Sequence, residues 1–334
     1  MRVVRTLAVL LGSALLAGCG AAPDASSAEP ASSAEPPAPV PAGALPDGWR
    51  WESYGGVQVG VPADWQWADR GLRVDAFCIF DGREKPPAVA RPSGAVPLIA
   101  CGDGERLMKN TGWVVAFQPA DPGTPDGTEE HDDRRTVRLA GVEVVVQAPP
   151  TWRERIAATI HQARIDHNGC PARHRISEDP AARPAKPADV TSLRGVTAVT
   201  ACKYMIGSPN ILEGSLRLNG GAAARAVEAI AAAPAGGGPD HPDQCLPEVS
   251  YGDDTIVLIV DSTAGRSEIA VRYSGCDHRG FDDGVTLRAL TPQTLAPFVG
   301  GPNEALLPPE LSGEPEQPST GAEPAPALSV GPGR

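Results

Sequence analysis

Cysteine placement constrains this chain more than any other feature. The 334 residues include 7 cysteines. Cys19 stands alone near the start, whereas Cys78, Cys101, Cys170, Cys202, Cys245 and Cys276 are spread through the body. An even set of six reads as three disulfides in an oxidising compartment, and fifteen connectivities are open to them. Each bridge would contribute about 2–4 kcal/mol, chiefly by restricting the unfolded chain. Zinc is the poorer reading, because no Cys-x-x-Cys pair or Cys/His cluster with metal-ligand spacing occurs.

The N-terminus supplies the compartment. Arg2 and Arg5 precede an uncharged stretch from Thr6 to Gly18 rich in Leu, Ala and Val, the layout of a secretory signal. As a helix that stretch would reach about 20 Å, short of the roughly 30 Å needed to span a bilayer. It ends Leu16-Ala17-Gly18-Cys19. Here the chain resembles bacterial lipoproteins, whose lipobox is an aliphatic residue, two small residues and a cysteine. The resemblance covers residues 1–19. It implies cleavage ahead of Cys19, diacylglyceryl attachment to its sulfur and retention on the outer face of the cell membrane. Two acyl chains, at about 0.8 kcal/mol per buried methylene, suffice for stable attachment. The competing reading is an ordinary signal peptide with a chance cysteine near its cleavage site.

Loss of residues 1–18 removes two of 29 basic residues and leaves 41 acidic ones, a balance of −14. Such a surface repels phosphate backbones, which argues against nucleic acid as a partner. Membrane association is therefore expected through the lipid on Cys19 alone. Lysines occur only at 85, 109, 186 and 203, beside abundant Ala, Gly and Pro, which suggests a GC-rich genome.

Composition divides the rest. Residues 19–46 are an Ala/Pro/Ser/Glu tether with almost nothing to bury, and 301–334 read as a disordered tail of the same character. A Pro-rich linker at 178–189 separates two expected domains, 47–177 and 190–300. In the first, WRWESY and GVQVGVP join at Gly55-Gly56, strands follow at 72–80, 96–100 and 112–118, and 136–147 read as a hairpin. Thr151-Trp152-Arg153-Glu154 has the pattern of a capping box, opening a helix that Asn168-Gly169 would stop. In the second, strands are expected at 196–205, 211–218, 256–260, 268–273 and 285–290. Helices are expected at 222–232 and from Thr291-Pro292. The fold class is thus α+β, each domain a mainly antiparallel sheet packed by one or two helices and stabilised by disulfides. With three cysteines in each half, complete pairing demands a bridge between halves, or a different boundary.

Catalytic signatures are lacking: there is no HExxH, GxSxG or Walker motif, and the six histidines are scattered. Thr200-Ala201-Cys202-Lys203 only superficially has the shape of SxxK. No catalytic residue and no cofactor is assigned. The best polar cluster runs from Gly275 to Gly284. Asp277, Asp282 and Asp283, with Asp253 or Asp254, offer hard oxygen ligands for calcium, and His278 with Asp282 offers an acid/base pair. The plainer reading is a solvated turn whose carboxylates bond local backbone while Arg279 pairs with one of them. All 6 tryptophans (Trp49, Trp51, Trp65, Trp67, Trp113 and Trp152) lie in the first half. They are core residues if buried and sugar-stacking platforms if exposed.

Residues 47–300, with HNGCP and YSGCDH and the GFDDG loop, resemble uncharacterised exported lipoproteins of actinobacteria, a likeness that implies no activity. The leading expectation is a non-enzymatic module, lipid-anchored on the extracytoplasmic face, that binds a cell-wall glycan or an exported protein. An extracellular hydrolase, metal-assisted through the 275–284 loop, is the second, and a structural or assembly spacer the third.

Overall fold

One turn carrying two glycines sets the first strands. β1 (Trp49–Tyr54) and β2 (Val57–Pro62) pair antiparallel with Tyr54 opposite Val57, leaving Gly55 and Gly56 as a two-residue loop at φ +55° and +85°. Both central residues of a type I′ turn need positive φ, which glycine adopts without strain. The computed structural model describes residues 43–68, 86–92, 112–131 and 133–313. The signal segment, Cys19, most of the tether, Cys78, Cys101, the strands expected at 72–80 and 96–100, and the tail from 314 lie outside the described residues.

The first region continues with β3 (Gln66–Trp67), β4 (Ala88–Ala90), β5 (Val114–Pro119), β6 (Gly127–His131), β7 (Arg134–Leu139) and β8 (Val142–Gln147). Helix α1 (Pro150–Ala157) and β9 (His161–Gln162) close it. β1-β2-β9 form one sheet, and β3-β4-β5-β8-β7-β6 a second, mainly antiparallel, with parallel pairs at β3–β4 and β4–β5. Val57, Val59 and Val61 on one sheet meet Val115, Phe117, Val142, Val144 and Val146 on the other. The core therefore lies between sheets, where a sheet under a helix was expected.

Helix α1 departs from its sequence pattern. Pro149 is its N-cap residue, without a side-chain cap, so Thr151 and Glu154 form no capping box, and the helix ends at Ala157. The Thr159 hydroxyl accepts from Gly60 N (2.8 Å) and donates to Ile156 O (2.6 Å). His161 and Gln162 then pair with β2, so a strand edge takes residues that helical spacing had claimed.

The second region contains α2 (Arg175–Glu178), β10 (Ala198–Met205), β11 (Leu212–Asn219), α3 (Gly220–Ala232), β12 (Asp254–Ser262) and β13 (Gly265–Arg272). It ends with β14 (Gly280–Asp282), β15 (Leu287–Arg288), α4 (Pro292–Leu295) and α5 (Pro309–Ser312). One antiparallel sheet, ordered β11-β10-β12-β13-β14-β15, carries it. The apolar run Ile256–Val260 lies inside this sheet and is buried on both faces. Leu258, Val260, Ile269 and Val271 pack with Ala223, Val227 and Ile230 of α3; Val257, Ile259 and Ala270 pack with Cys170, Ile176 and Ala182. The chain is thus α+β with mainly antiparallel sheets.

Two expectations about boundaries change. Residues 178–189 are not a free linker but a strap along the second sheet. Pro180 O and Ala182 O accept from Arg272, Lys186 O accepts from Glu268 N, and Ala188 N donates to Asp283 O. Residues 301–313 likewise pack: Leu311 is buried, and Asn303 donates to Ala201 O (3.0 Å) and Phe298 O (3.3 Å). A Cβ on Gly214 would fall 2.0 Å from Pro302 O, which is how closely this segment crosses β11. Proline content suggested disorder, whereas specific carbonyl and core contacts hold both stretches.

Cys170–Cys202 and Cys245–Cys276 are disulfides with Cα separations of 5.6 and 5.5 Å. The first crosses the expected boundary, as parity required, and binds residues 164–177 to the second sheet. All described residues belong to one compact unit, and the regions meet where Gly55 N donates to Leu212 O (2.7 Å) and Ile211 enters the first core.

Candidate functional site

The 275–284 segment does not converge on a reaction centre. Asp282 and Asp283 are 4% and 1% exposed. Asp282 accepts from Arg183 Nη2 (2.6 Å), Arg272 Nη1 (3.2 Å) and Gly284 N (2.9 Å). Burial pushes its carboxyl up, but these donors hold it below the usual range. Asp283 accepts from Val190 N (2.9 Å), Val285 N (2.7 Å) and Thr286 N (2.6 Å). Both carboxylates fasten the strap and the turn. His278, at φ +58°, is exposed and stacks on Tyr251 at 4.5 Å, while Asp277 accepts from its backbone N–H. Arg279 is buried and pairs with Glu310 (2.5 Å), outside the loop. Asp254 belongs to a different cluster. Among the described residues no group of three His, Cys, Asp or Glu is placed to hold a metal ion.

Sequence reasoning missed the charged groups inside the strands. Glu52, on β1, accepts from Arg50 (2.6 Å), Arg91 (2.5 Å) and the Trp67 indole N–H (3.0 Å). Burial raises its pKa, but Arg91 and Arg50 pull it below the ordinary range. Lys203, on β10, reaches Glu213 (3.0 Å), Asp254 (3.1 Å) and Glu304 O (3.0 Å), so all three ammonium protons have acceptors. Burial opposes its charge, yet Glu213 and Asp254 hold its pKa above the ordinary value. Burial pushes Glu213 up, with Lys203 opposing and Asp254 reinforcing. Thr200 and Lys203, three apart on a strand, face opposite sides, so the resemblance to SxxK has no geometric content. The cavity beside Trp67, Arg91, Lys203 and Glu213 holds about 20 Å³, room for a single water and not for a substrate. A charge inside an alternating apolar run, as at Lys203 in AVTACKYM, was the available signal.

The tryptophans separate into two behaviours. Trp65 is buried at 5% exposure; the other five retain surface in solvent, with Trp67 and Trp113 exposed. Trp49 and Trp51, two apart on β1, share a side of the strand. Trp51 meets His161 edge-on at 5.0 Å. Trp49 stacks on Trp152 of α1 at 6.0 Å and 17°, and Trp152 lies 6.1 Å from Trp113 at 41°. Arg155 covers both Trp49 and Trp152, its guanidinium carbon 5.2 and 5.1 Å from the ring centroids.

Of the histidines, His167 is inward. Its Nδ1 lies 3.1 Å from Gln58 Nε2 and 3.3 Å from Ser53 Oγ, and burial holds its pKa below the ordinary value. His174 caps α2 through Ile176 N (3.3 Å). A groove of about 370 Å³ between α3 and residues 190–196 is lined by Val190, Leu193, Val196, Val227 and Ala231, with Arg194 and Glu228 its charged members. No protein-family model, curated protein or solved structure matches the chain.

Proposed function

We propose that this protein is an extracytoplasmic lipoprotein, held to the membrane through Cys19, that acts as a non-enzymatic module binding a cell-envelope component or an exported protein. The observation that carries the reading is a cluster of partly exposed indoles at Trp49, Trp113 and Trp152. The buried carboxylates, in contrast, are engaged by arginines, lysine and backbone N–H groups. Two disulfides suit an oxidising compartment.

Two experiments test it. Mass spectrometry of the native protein should find a first residue at Cys19 carrying acyl groups; another N-terminus or an unacylated cysteine removes the address. Thermal unfolding of the whole chain carrying Cys19→Ser, screened against cell-wall fragments, peptides and divalent metals, should show a concentration-dependent rise with an envelope fraction. A chain that no envelope fraction stabilises is not such a module.

A further inference from the structure

The two disulfides close loops of similar length but differ in what surrounds them. Cys170 and Cys202 are 0% exposed, packed in one cluster with Ile176, Tyr204, Leu212 and Val257. Cys245 and Cys276 are half-exposed. Thiol–disulfide exchange requires a thiolate to reach a sulfur, so access decides which bridge can react while the protein stays folded. The buried pair is closed to attack unless the second core opens.

The chain around Cys245 is clamped at both ends and not between them. His241 N donates to Cys276 O (2.7 Å), and Ser250 O accepts from Asp277 N (3.0 Å). Beside the second clamp the two segments cross so closely that a Cβ on Gly275 would fall 2.1 Å from Ser250 O. Residues 242–249 form two short turns whose bonds are local, Cys245 N to Pro242 O (3.2 Å) and Val249 N to Leu246 O (3.0 Å). Among the described residues, no hydrogen bond or ion pair joins 242–249 to chain outside 241–252. Val249 O does lie 3.7 Å from Cys276 Sγ, but that is a contact of the bridge itself, since a bridged sulfur carries no proton. Leu246 and Val249 are 67% and 46% exposed and enter none of the hydrophobic clusters. The Cys245–Cys276 bond is therefore what ties this segment to the sheet, and neither core depends on it.

We propose that Cys245–Cys276 is an exchangeable disulfide, opened by a dithiol in the folded protein, and that its opening releases residues 242–249. A thiolate of the dithiol attacks Cys245 Sγ, beside exposed Leu246, rather than Cys276, beside buried Gly275. The bond between the two cysteine sulfurs breaks, and Cys276 leaves as a thiolate that takes a proton from water. The second thiolate of the dithiol then attacks its own sulfur in the mixed disulfide and expels Cys245, which is protonated in turn. Two electrons and two protons pass to the cysteines, and the dithiol becomes a disulfide. This redox site goes beyond the binding-module reading and does not depend on that module's ligand.

The test treats the whole chain carrying Cys19→Ser with dithiothreitol, quenches with N-ethylmaleimide and maps each cysteine by mass spectrometry. Cys245 and Cys276 should be labelled together, about tenfold faster or more than Cys170 and Cys202, while the far-ultraviolet circular dichroism stays that of the oxidised protein. Brief exposure to glutathione, a monothiol, should place the tripeptide on Cys245 and the maleimide on Cys276. Cleavage by Glu-C protease after Glu248 should accelerate by about tenfold once the bridge is open. The double variant Cys245→Ser/Cys276→Ser should be cut at that faster rate with or without dithiothreitol; should it fail to fold, the parent chain decides alone. Exchange in the folded protein is refuted if the two pairs are labelled at one rate, or if labelling appears only as the circular dichroism is lost. Glutathione confined to Cys276 refutes attack at Cys245, and cleavage after Glu248 that ignores reduction refutes release of the segment.

Discussion

Residues 43–162 and 190–311 bury their sheets with different materials. The first region presses two sheets together through valines and leaves five tryptophans at its rim. The second has no tryptophan. Its single sheet is covered on one face by α3 and the C-terminal segment, and on the other by the segment around Cys170 and Ile176, which Cys170–Cys202 fastens, and by the strap that follows it. Charge follows the same division. Glu52 sits between two arginines that favour its ionised form, whereas Lys203 lies between two carboxylates that compete for it. The difference is one of closure: both regions pair their buried charges internally, but the second sheet is covered on both faces while the first region leaves aromatic surface at its edge.

The comparison breaks first at Lys203. Removing one member of a buried ion pair leaves uncompensated charge and costs about 3–5 kcal/mol. Lys203→Met leaves Glu213 facing Asp254 and should lower the urea midpoint by the largest amount of any single change discussed here. Adding Glu213→Leu should recover part of the loss. A midpoint unchanged by Lys203→Met would mean that the cluster contributes nothing to closure.

The disulfides come next. Their loops span 32 and 31 residues, so chain entropy assigns each about 3–4 kcal/mol. Their surroundings differ: Cys170 and Cys202 are fully buried, while Cys245 and Cys276 are half-exposed. Replacing Cys170 and Cys202 by alanine should therefore cost more than replacing the other pair, because it also opens space in the core. Under mild reductant, thiol labelling should appear at Cys245 and Cys276 before it appears at Cys170 and Cys202. The reverse order would show that the strap is the weaker side of the second sheet.

How much of this was readable beforehand depends on length and on contact order. Hairpins with alternating valines, such as β7–β8 with its Ala140-Gly141 turn, follow from periodicity and turn chemistry. β3, β4, β9 and β15 have two or three residues each, too short to carry a period. The strap and residues 301–313 are held by contacts with residues some 80 to 100 positions away, including Arg272 and Ala201, so proline content misled. At the loop, Asp282 and Asp283 were legible as a polar pair, but their burial depends on Arg183 and Val190 N from the strap. Glu52, Lys203 and Glu213 carry types usually read as surface residues. The tryptophans were visible; their stacking across β1, α1 and the start of β5 was not.

The two buried glutamates should respond oppositely to acid. Glu52 has a folded-state pKa below its unfolded value, so its contribution is present above the unfolded pKa and is lost as pH falls through the folded one. Glu213 has a raised folded-state pKa, so its contribution declines as pH rises from the unfolded value through the raised one. At pH 7 Glu52→Gln should cost about 2 kcal/mol through lost charge-assisted hydrogen bonds and flatten the loss of stability on acidification. Glu213→Gln should cost less at pH 7 and steepen that loss instead. Urea midpoints across pH 4–8 read both slopes; parallel slopes for the two variants would remove the asymmetry between the regions.

The smallest expected effect compares two helix starts, one expected to have a capping box at Thr151 and one that has it at Thr291. Thr291 is a true N-cap: its hydroxyl accepts from Thr294 N (3.2 Å), and Thr294 Oγ1 accepts from Thr291 N (2.9 Å). Thr151 opens the same kind of pattern, but it lies inside α1, exposed, with Pro149 at the cap and no side-chain bond made there. Thr291→Ala should therefore cost about 1 kcal/mol, as loss of a cap does, and Thr151→Ala under about 0.5 kcal/mol. Equal costs would mean that α1 owes its start to the threonine after all. Unequal costs would show that Pro149-Pro150 and the burial of Ile156 set α1, so that Trp152 is held against Trp49 by packing rather than by a capped helix end.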